Sequence, residues 1–99
     1  MKSIEDVIEE VIYPDDGWIT EIKTSRSDFN RYIEDKQSRR VFVYPYWGRQ
    51  GNYYNFQIIA PYKVYTLRDV LYKRDASLWA YVDRLINKLE AGGLVVCKR

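Results

Sequence analysis

The sequence contains no histidine and a single cysteine, Cys97. Histidine is the side chain that most often acts as a general base or binds a transition metal, and both roles are therefore missing. A single cysteine excludes a disulfide within the chain. Because Cys97 lies in the apolar run LVVC, we expect a small buried side chain and not a nucleophile. These absences predict a protein that is not an enzyme, has no metal site and needs no cofactor.

Long apolar stretches and phosphate-binding glycine loops are absent as well. No apolar run approaches the roughly 18 residues that span a bilayer, and the charged start MKSIEDVIEE is unlike a signal peptide. Gly92 and Gly93 follow a predicted helix, whereas a phosphate loop precedes one. We therefore expect no membrane contact and a cytoplasmic location.

The composition is that of one globular domain over residues 1–99. Hydrophobic residues make up 46% of the chain, charged residues 30% and aromatic residues 16%. The net charge of +2 is too small to indicate a polyanionic partner by itself. Abundant lysine and arginine, beside one methionine and one cysteine, are typical of heat-stable proteins.

The periodicity of apolar residues predicts an α+β fold. RVFVYPYWG and YYNFQIIA are strand-like runs around the loop GRQGN, which indicates a small antiparallel sheet centred on a hairpin within residues 40–60. Strands near 18–24 and 94–97 could extend this sheet. Helices are expected to cover it near 3–13, 27–38 and 66–91.

The first and last of these helices carry the clearest signals. Ser3 is a capping residue for the first helix, and acidic residues such as Glu9 are expected to face solvent. The last helix has two interpretations. It is either one helix from Thr66 to Ala91, or two helices of which the second is capped within the DAS of 75–77.

Seven aromatic rings in and beside the hairpin also have two interpretations. Strand alternation groups the rings of each strand, and we expect both groups to share the face of the sheet that the helices cover. The groups are Phe42, Tyr44 and Tyr46 on the first strand, and Tyr54 and Phe56 on the second. The alternative is a platform on which nucleobases stack, with Arg49 at the loop tip as a contact. Pro45 lacks a backbone donor, which predicts an edge or a bulge in its strand.

Residues 66–96 resemble the helix–turn–helix core of winged-helix DNA-binding domains, most closely in YVDRLINKLEAGGLV. The resemblance covers under a third of the chain. It implies that Ser77, Tyr81, Arg84 and Lys88 face the major groove or its phosphates. Acidic side chains within the same segment disfavour that role.

The chain as a whole resembles small proteins of the filamentous and rod-shaped viruses of hyperthermophilic archaea, the lipothrixviruses and rudiviruses. The stretches that carry this resemblance are VIYPDDGWITEIK, VFVYPYWGRQGNYY and KLEAGGLVVCKR. No functional motif defines that family. The resemblance implies a location in the host-cell cytoplasm and leaves the role open.

Three functional hypotheses follow. The favoured one is a non-catalytic, heat-stable binding module that acts on a host or viral macromolecule, with protein preferred over DNA as the partner. The second is a winged-helix-like DNA-binding regulator. The third is a metal-dependent nuclease using Asp15, Asp16 and Glu21, although a solvated turn is the simpler interpretation of these acids. An edge strand containing Pro45 or Cys97 could also pair with a second copy to form a homodimer.

Overall fold

The computed structural model describes residues 2–13, 17–24, 38–47, 54–70 and 75–98. Within these ranges the chain forms two helices and five strands, and the strands belong to one sheet. The elements in chain order are α1 (Ile4–Ile12), β1 (Ile19–Thr24), β2 (Arg40–Trp47), β3 (Tyr54–Ile59), β4 (Lys63–Leu67), α2 (Ala76–Ala91) and β5 (Val95–Lys98). The predicted α+β class is confirmed.

The sheet has the strand order β1-β4-β3-β2-β5. Its first four strands pair antiparallel, whereas β5 returns through α2 and lies parallel to β2, so the complete sheet is mixed. Gly93 makes the sharp turn from α2 into β5 at a φ of 91°, a conformation that favours glycine. The Leu94 N–H then donates to the Leu89 carbonyl at 3.2 Å, which closes the helix end.

Both helices contribute to a core on one face of the sheet. Alternate residues of the central strands supply the floor of this core, as period-two alternation requires. The buried hydrophobic residues are Ile4, Val7, Ile8 and Ile12 of α1, Leu78, Tyr81, Val82, Leu85, Ile86 and Leu89 of α2, and Val41, Val43, Phe56, Ile58, Tyr65 and Leu67 of the strands, with Ala60, Val70 and Leu94 beside them.

Helix α1 forms where its sequence predicts it. The Ser3 hydroxyl accepts a hydrogen bond from the Asp6 backbone N–H at 3.1 Å, which satisfies one of the free donors of the first turn. Strands β1 and β5 likewise match the predicted additions to the sheet. Of the helix predicted over 27–38, residues 27–37 lie outside the described ranges.

The single helix predicted from Thr66 to Ala91 is wrong in its first part. Thr66 lies in β4, where it accepts a hydrogen bond from the Gln57 side chain at 3.2 Å instead of capping a helix. Leu67 also lies in β4, and its apolar side chain is buried because it faces the core from this strand. Helix α2 begins only after Asp75, whose carboxylate accepts the N–H groups of Ser77 and Leu78. This start agrees with the two-helix alternative, although residues 71–74 lie outside the described ranges.

The hairpin strands pair as predicted, but their rings do not share one face. The register sets Pro45 opposite Phe56, and Tyr44 opposite Gln57. Phe56 is therefore buried beneath the helices, whereas Phe42 and Tyr44 lie together on the other face, with ring centroids 5.4 Å apart. The prediction was wrong for these two rings because Val41 and Val43 occupy the core-facing positions of β2.

Pro45 lies in β2 beyond the end of the β5 pairing. Strand β5 pairs only with Arg40–Val43, so at Pro45 the described strands provide one neighbour, β3. The missing N–H of proline is therefore tolerated at this position.

Candidate functional site

Two arginines and two aromatic rings form a continuous cluster between the start of β1, the end of β4 and the face of α2. The Trp18 and Tyr81 rings stack with centroids 5.0 Å apart and planes inclined by 12°. The guanidinium carbon of Arg68 lies 4.0 Å from the Trp18 ring centroid, and that of Arg84 lies 6.0 Å from the Tyr81 centroid. We call these four residues the arginine–aromatic cluster.

Backbone structure holds each member of this cluster in place. The Arg68 N–H donates to the Trp18 carbonyl at 2.8 Å, which continues the β1–β4 pairing by one step. Tyr81 and Arg84 are three residues apart on α2, a spacing that makes their side chains neighbours on the helix surface. Two members of the cluster are therefore carried by α2, and the other two lie one residue beyond the ends of β1 and β4.

The two rings are covered while the two guanidinium groups reach solvent. Tyr81 is 1% exposed and Trp18 is partly buried against the core, whereas Arg68 and Arg84 are exposed. The two rings stack on each other, so their facing surfaces cannot stack on a nucleobase. What the cluster offers a partner is mainly the hydrogen-bond donors of its guanidinium groups. Guanidinium groups bind carboxylates or phosphates through paired N–H donors.

The structure separates the residues that the winged-helix resemblance grouped together. Ser77, Arg84 and Lys88 are exposed on α2. The expectation that Tyr81 faces a DNA groove is wrong, because its ring is buried against Trp18 and the core. Arg49 lies outside the described residues, so its predicted contact stays a prediction.

The first helix of the winged-helix resemblance does not form over its described residues, 66–70. Residues 63–67 are strand β4, and Val70 makes an isolated β-bridge. Asp83 and Glu90 are also exposed on α2, where they would repel a phosphate backbone. The basic side chains that α2 presents for phosphate contacts are Arg84 and Lys88.

Of the three acidic residues proposed to bind a cation, the structure describes one, Glu21. Glu21 is exposed in β1 and forms an ion pair with Lys23 at 3.4 Å. Asp15 and Asp16 lie outside the described ranges, so this site stays a prediction. Across the part of the chain that is described, no three carboxylate or cysteine side chains lie close enough together to hold a metal ion.

A second polar cluster joins α1 to β4, and sequence patterning missed it. The Glu9 carboxylate accepts hydrogen bonds from the Tyr13 hydroxyl at 2.8 Å and from Lys63 Nζ at 3.2 Å. Its side chain is only 16% exposed, so the expectation that Glu9 faces solvent is wrong. No local signal marks this pair, because Lys63 lies in the strand β4 that the sequence did not predict.

Burial shapes the electrostatics of this second cluster. Burial raises the pKa of Glu5, and its Oε2 has no hydrogen-bond partner in the described ranges. Burial, followed by the negative charges of Glu9 and Glu5, also raises the pKa of Tyr65. The hydrogen bond to Glu9 raises the pKa of Lys63. The arrangement is a partly buried ion pair that attaches α1 to the sheet.

Comparison with known proteins assigns no family to the chain. No protein-family model matches it, and no curated protein or solved structure matches it either. In the described ranges, neither α1 nor α2 is long and apolar enough to cross a membrane.

Proposed function

We propose that the protein is a non-catalytic, heat-stable binding module that acts on a host or viral macromolecule in the cytoplasm. The arginine–aromatic cluster is its contact surface. The observation that carries this proposal is the pair of exposed guanidinium groups, Arg68 and Arg84, beside the stacked rings of Trp18 and Tyr81. Arginine, tryptophan and tyrosine are the residues that most often dominate the binding energy of protein interfaces.

A protein partner fits this surface better than DNA does. The rings are stacked on each other, so the surface presents charged donors to a carboxylate without offering an open ring to a base. The exposed Asp83 beside Arg84 adds a negative charge that a duplex would meet unfavourably. Arg68 is already held over the Trp18 ring, which lowers the entropy that binding would cost.

The DNA-binding alternative rests on a narrower observation. Arg84 and Lys88 are exposed one helical turn apart on α2, and Ser77 lies on the first turn of the same helix. These residues could contact phosphates without a complete helix–turn–helix. Such binding would be governed by charge and would show little sequence preference.

Affinity capture with matched arginine variants tests the proposal. The full chain is used as bait in nuclease-treated lysate of the host, and each captured protein is purified for binding measurements. We expect Arg68→Ala and Arg84→Ala each to weaken binding of the partner by about tenfold or more. Arg40→Ala removes an exposed guanidinium at the start of β2, away from the cluster, and is the control that should retain the partner.

Duplex binding separates the alternative from the proposal. Fluorescence anisotropy with a labelled duplex, repeated over a salt series, would show affinity falling linearly on logarithmic axes if phosphates are the target. In that case Arg84→Ala and Lys88→Ala should weaken binding alike.

The proposal is refuted if the captured protein binds all arginine variants equally. It is also refuted if the chain cleaves nucleic acid with Mg²⁺ or Mn²⁺ and Asp16→Ala abolishes the cleavage.

A further inference from the structure

Strand β1 is an exposed edge of the sheet that the described strands form. It pairs with β4 on one side and stands at the end of the strand order, so its other side has no neighbour among the described strands. Every residue from Thr20 to Thr24 is exposed, including the apolar Ile22 at 43%. An edge of this kind presents backbone donors and acceptors that another strand can pair with.

The sequence of this edge is complementary to itself. In an antiparallel pair centred on Ile22, Ile22 lies opposite its own copy and Thr20 lies opposite Thr24. Glu21 then lies opposite Lys23 of the second copy, and Lys23 lies opposite Glu21. We propose that a second copy of this chain pairs with β1 in this register and forms a two-fold symmetric dimer with a continuous sheet.

The faces of β1 support this register. Glu21 and Lys23 already form an ion pair within the strand at 3.4 Å, which places both side chains on one face. Ile22 lies opposite the buried Tyr65 and therefore belongs to the face that carries the helices. Dimerisation would replace the ion pair within each strand by two pairs between strands and would cover both copies of Ile22.

The charge pattern selects a second copy over an unrelated strand. A foreign strand would have to present a base opposite Glu21 and an acid opposite Lys23, whereas the chain itself does so by symmetry. The ladder between β1 and β4 is irregular between Ile19 and Glu21, so the regular edge begins at the Glu21 end. The paired segment is therefore short and is defined by its charges.

The opposite edge of the sheet fits a homodimer less well. Strand β5 is only four residues long, and its own antiparallel register would place Val95 opposite Lys98. Cys97, one of the positions considered for a dimer from the sequence, lies in this strand, and Pro45 lies in β2. The self-complementary edge is β1.

Pairing through β1 would place two arginine–aromatic clusters in one dimer. The role of these clusters in binding rests on the proposed function, whereas the dimer itself does not. Trp18 lies four residues before Ile22, so the two copies of Trp18 would be eight residue steps apart along the paired strands. At about 3.3 Å per residue, that distance is roughly 26 Å. The dimer would present two arginine–aromatic clusters and bind a repetitive partner with avidity.

Charge exchange tests the dimer independently of any partner. Sedimentation equilibrium of the full chain over a concentration series should show a species of twice 11.9 kDa. Glu21→Lys and Lys23→Glu each turn two opposite-charge pairs into like-charge pairs, so each should weaken dimerisation at least about tenfold. The double variant carrying both changes should restore it. Glu90→Lys, which reverses the charge of an exposed residue at the end of α2, is the control and should leave dimerisation unchanged.

Crosslinking checks the register. In a Cys97→Ser background, Ile22→Cys should give a disulfide-linked dimer under mild oxidation, because Cβ atoms opposite each other lie about 4.5–5.5 Å apart. Thr24→Cys in the same background should not crosslink to itself, since the two copies would be four residue steps apart. A chain that stays monomeric at every concentration overturns the proposal. A dimer that survives both single charge reversals, or that crosslinks equally through Thr24→Cys, overturns it too.

Discussion

Gly92, the residue that caps the end of α2, lies against Val7 of α1, and Gly92→Ala tests that contact. A Cβ placed on Gly92 would lie 2.6 Å from Val7 Cγ1, whereas carbon atoms in contact prefer about 3.5–4.0 Å. Val7 is 6% exposed, so its methyl group has little free space to move into. The φ of Gly92 is −80°, which alanine adopts readily, so the expected cost comes from packing and not from the backbone.

The magnitude follows from two opposing effects. Adding a methylene to a packed core typically costs about 1–3 kcal/mol. Replacing glycine by alanine where the backbone permits it stabilises by about 0.4–1 kcal/mol, through the lower entropy of the unfolded chain. We therefore expect Gly92→Ala to lower the free energy of unfolding by about 1–2 kcal/mol. In a domain of this size, each kcal/mol lowers Tm by about 4–8 °C.

A double-mutant cycle isolates the contact with Val7. Urea unfolding followed by circular dichroism measures the free energy of unfolding for Gly92→Ala, Val7→Ala and the double variant. Val7→Ala alone removes two buried methyl groups and should destabilise the chain. In that background Cγ1 is no longer there to clash with a Cβ at position 92, so Gly92→Ala should cost little. Gly93→Ala is the matched control, because it has a φ of 91° and no atom within 4 Å of its Cβ. Its cost should be the same with and without Val7→Ala.

Two outcomes would refute this reasoning. One is a Gly92→Ala variant that is as stable as the parent chain, because the helices would then be farther apart than the structure places them. The other is a destabilisation by Gly92→Ala that Val7→Ala leaves unchanged, because the cost would then arise elsewhere.

Two further predictions concern pH. Burial raises the pKa of Glu5 above its ordinary value of 4.5, so the folded state binds a proton more tightly than the unfolded state and stability falls as pH rises through the raised pKa. Glu5→Gln should therefore raise the urea midpoint at neutral pH and change it little below about pH 4. The hydrogen bond from the Ser77 side chain is the largest cause that lowers the pKa of Asp75 below 3.8, so its stabilising effect is present at neutral pH and is lost as pH falls through the lowered pKa. Asp75→Ala should lower Tm at neutral pH but not in strong acid, and Asp75→Asn, which keeps a capping oxygen, should retain most of the stability.

Features that depend on neighbours in the chain were predictable from the sequence. The apolar spacing and Ser3 cap of α1 act within a few residues, and the helix forms where they place it. The hairpin strands and the α+β class follow from similarly local patterns. The capping signal at Asp75 was also readable, but its competition with a longer apolar stripe left two interpretations open.

Sheet register and helix packing decided the rest. Leu67 satisfies a helical stripe and a strand face equally well, and only its pairing with Ile19 of β1 makes it part of a strand. Phe42 and Tyr44 alternate correctly along β2, but which face the helices cover depends on Val41, Val43 and the residues opposite them.

The candidate site depends on tertiary structure most of all. Tyr81 and Arg84 are related by helical spacing on α2, but Trp18 before β1 and Arg68 after β4 are distant in the chain from each other and from α2. The sequence determined which segments can form helices and hairpin strands, because hydrogen bonding and side-chain periodicity act locally. The fold alone determined which distant side chains meet, because those contacts arise when whole apolar faces are buried together.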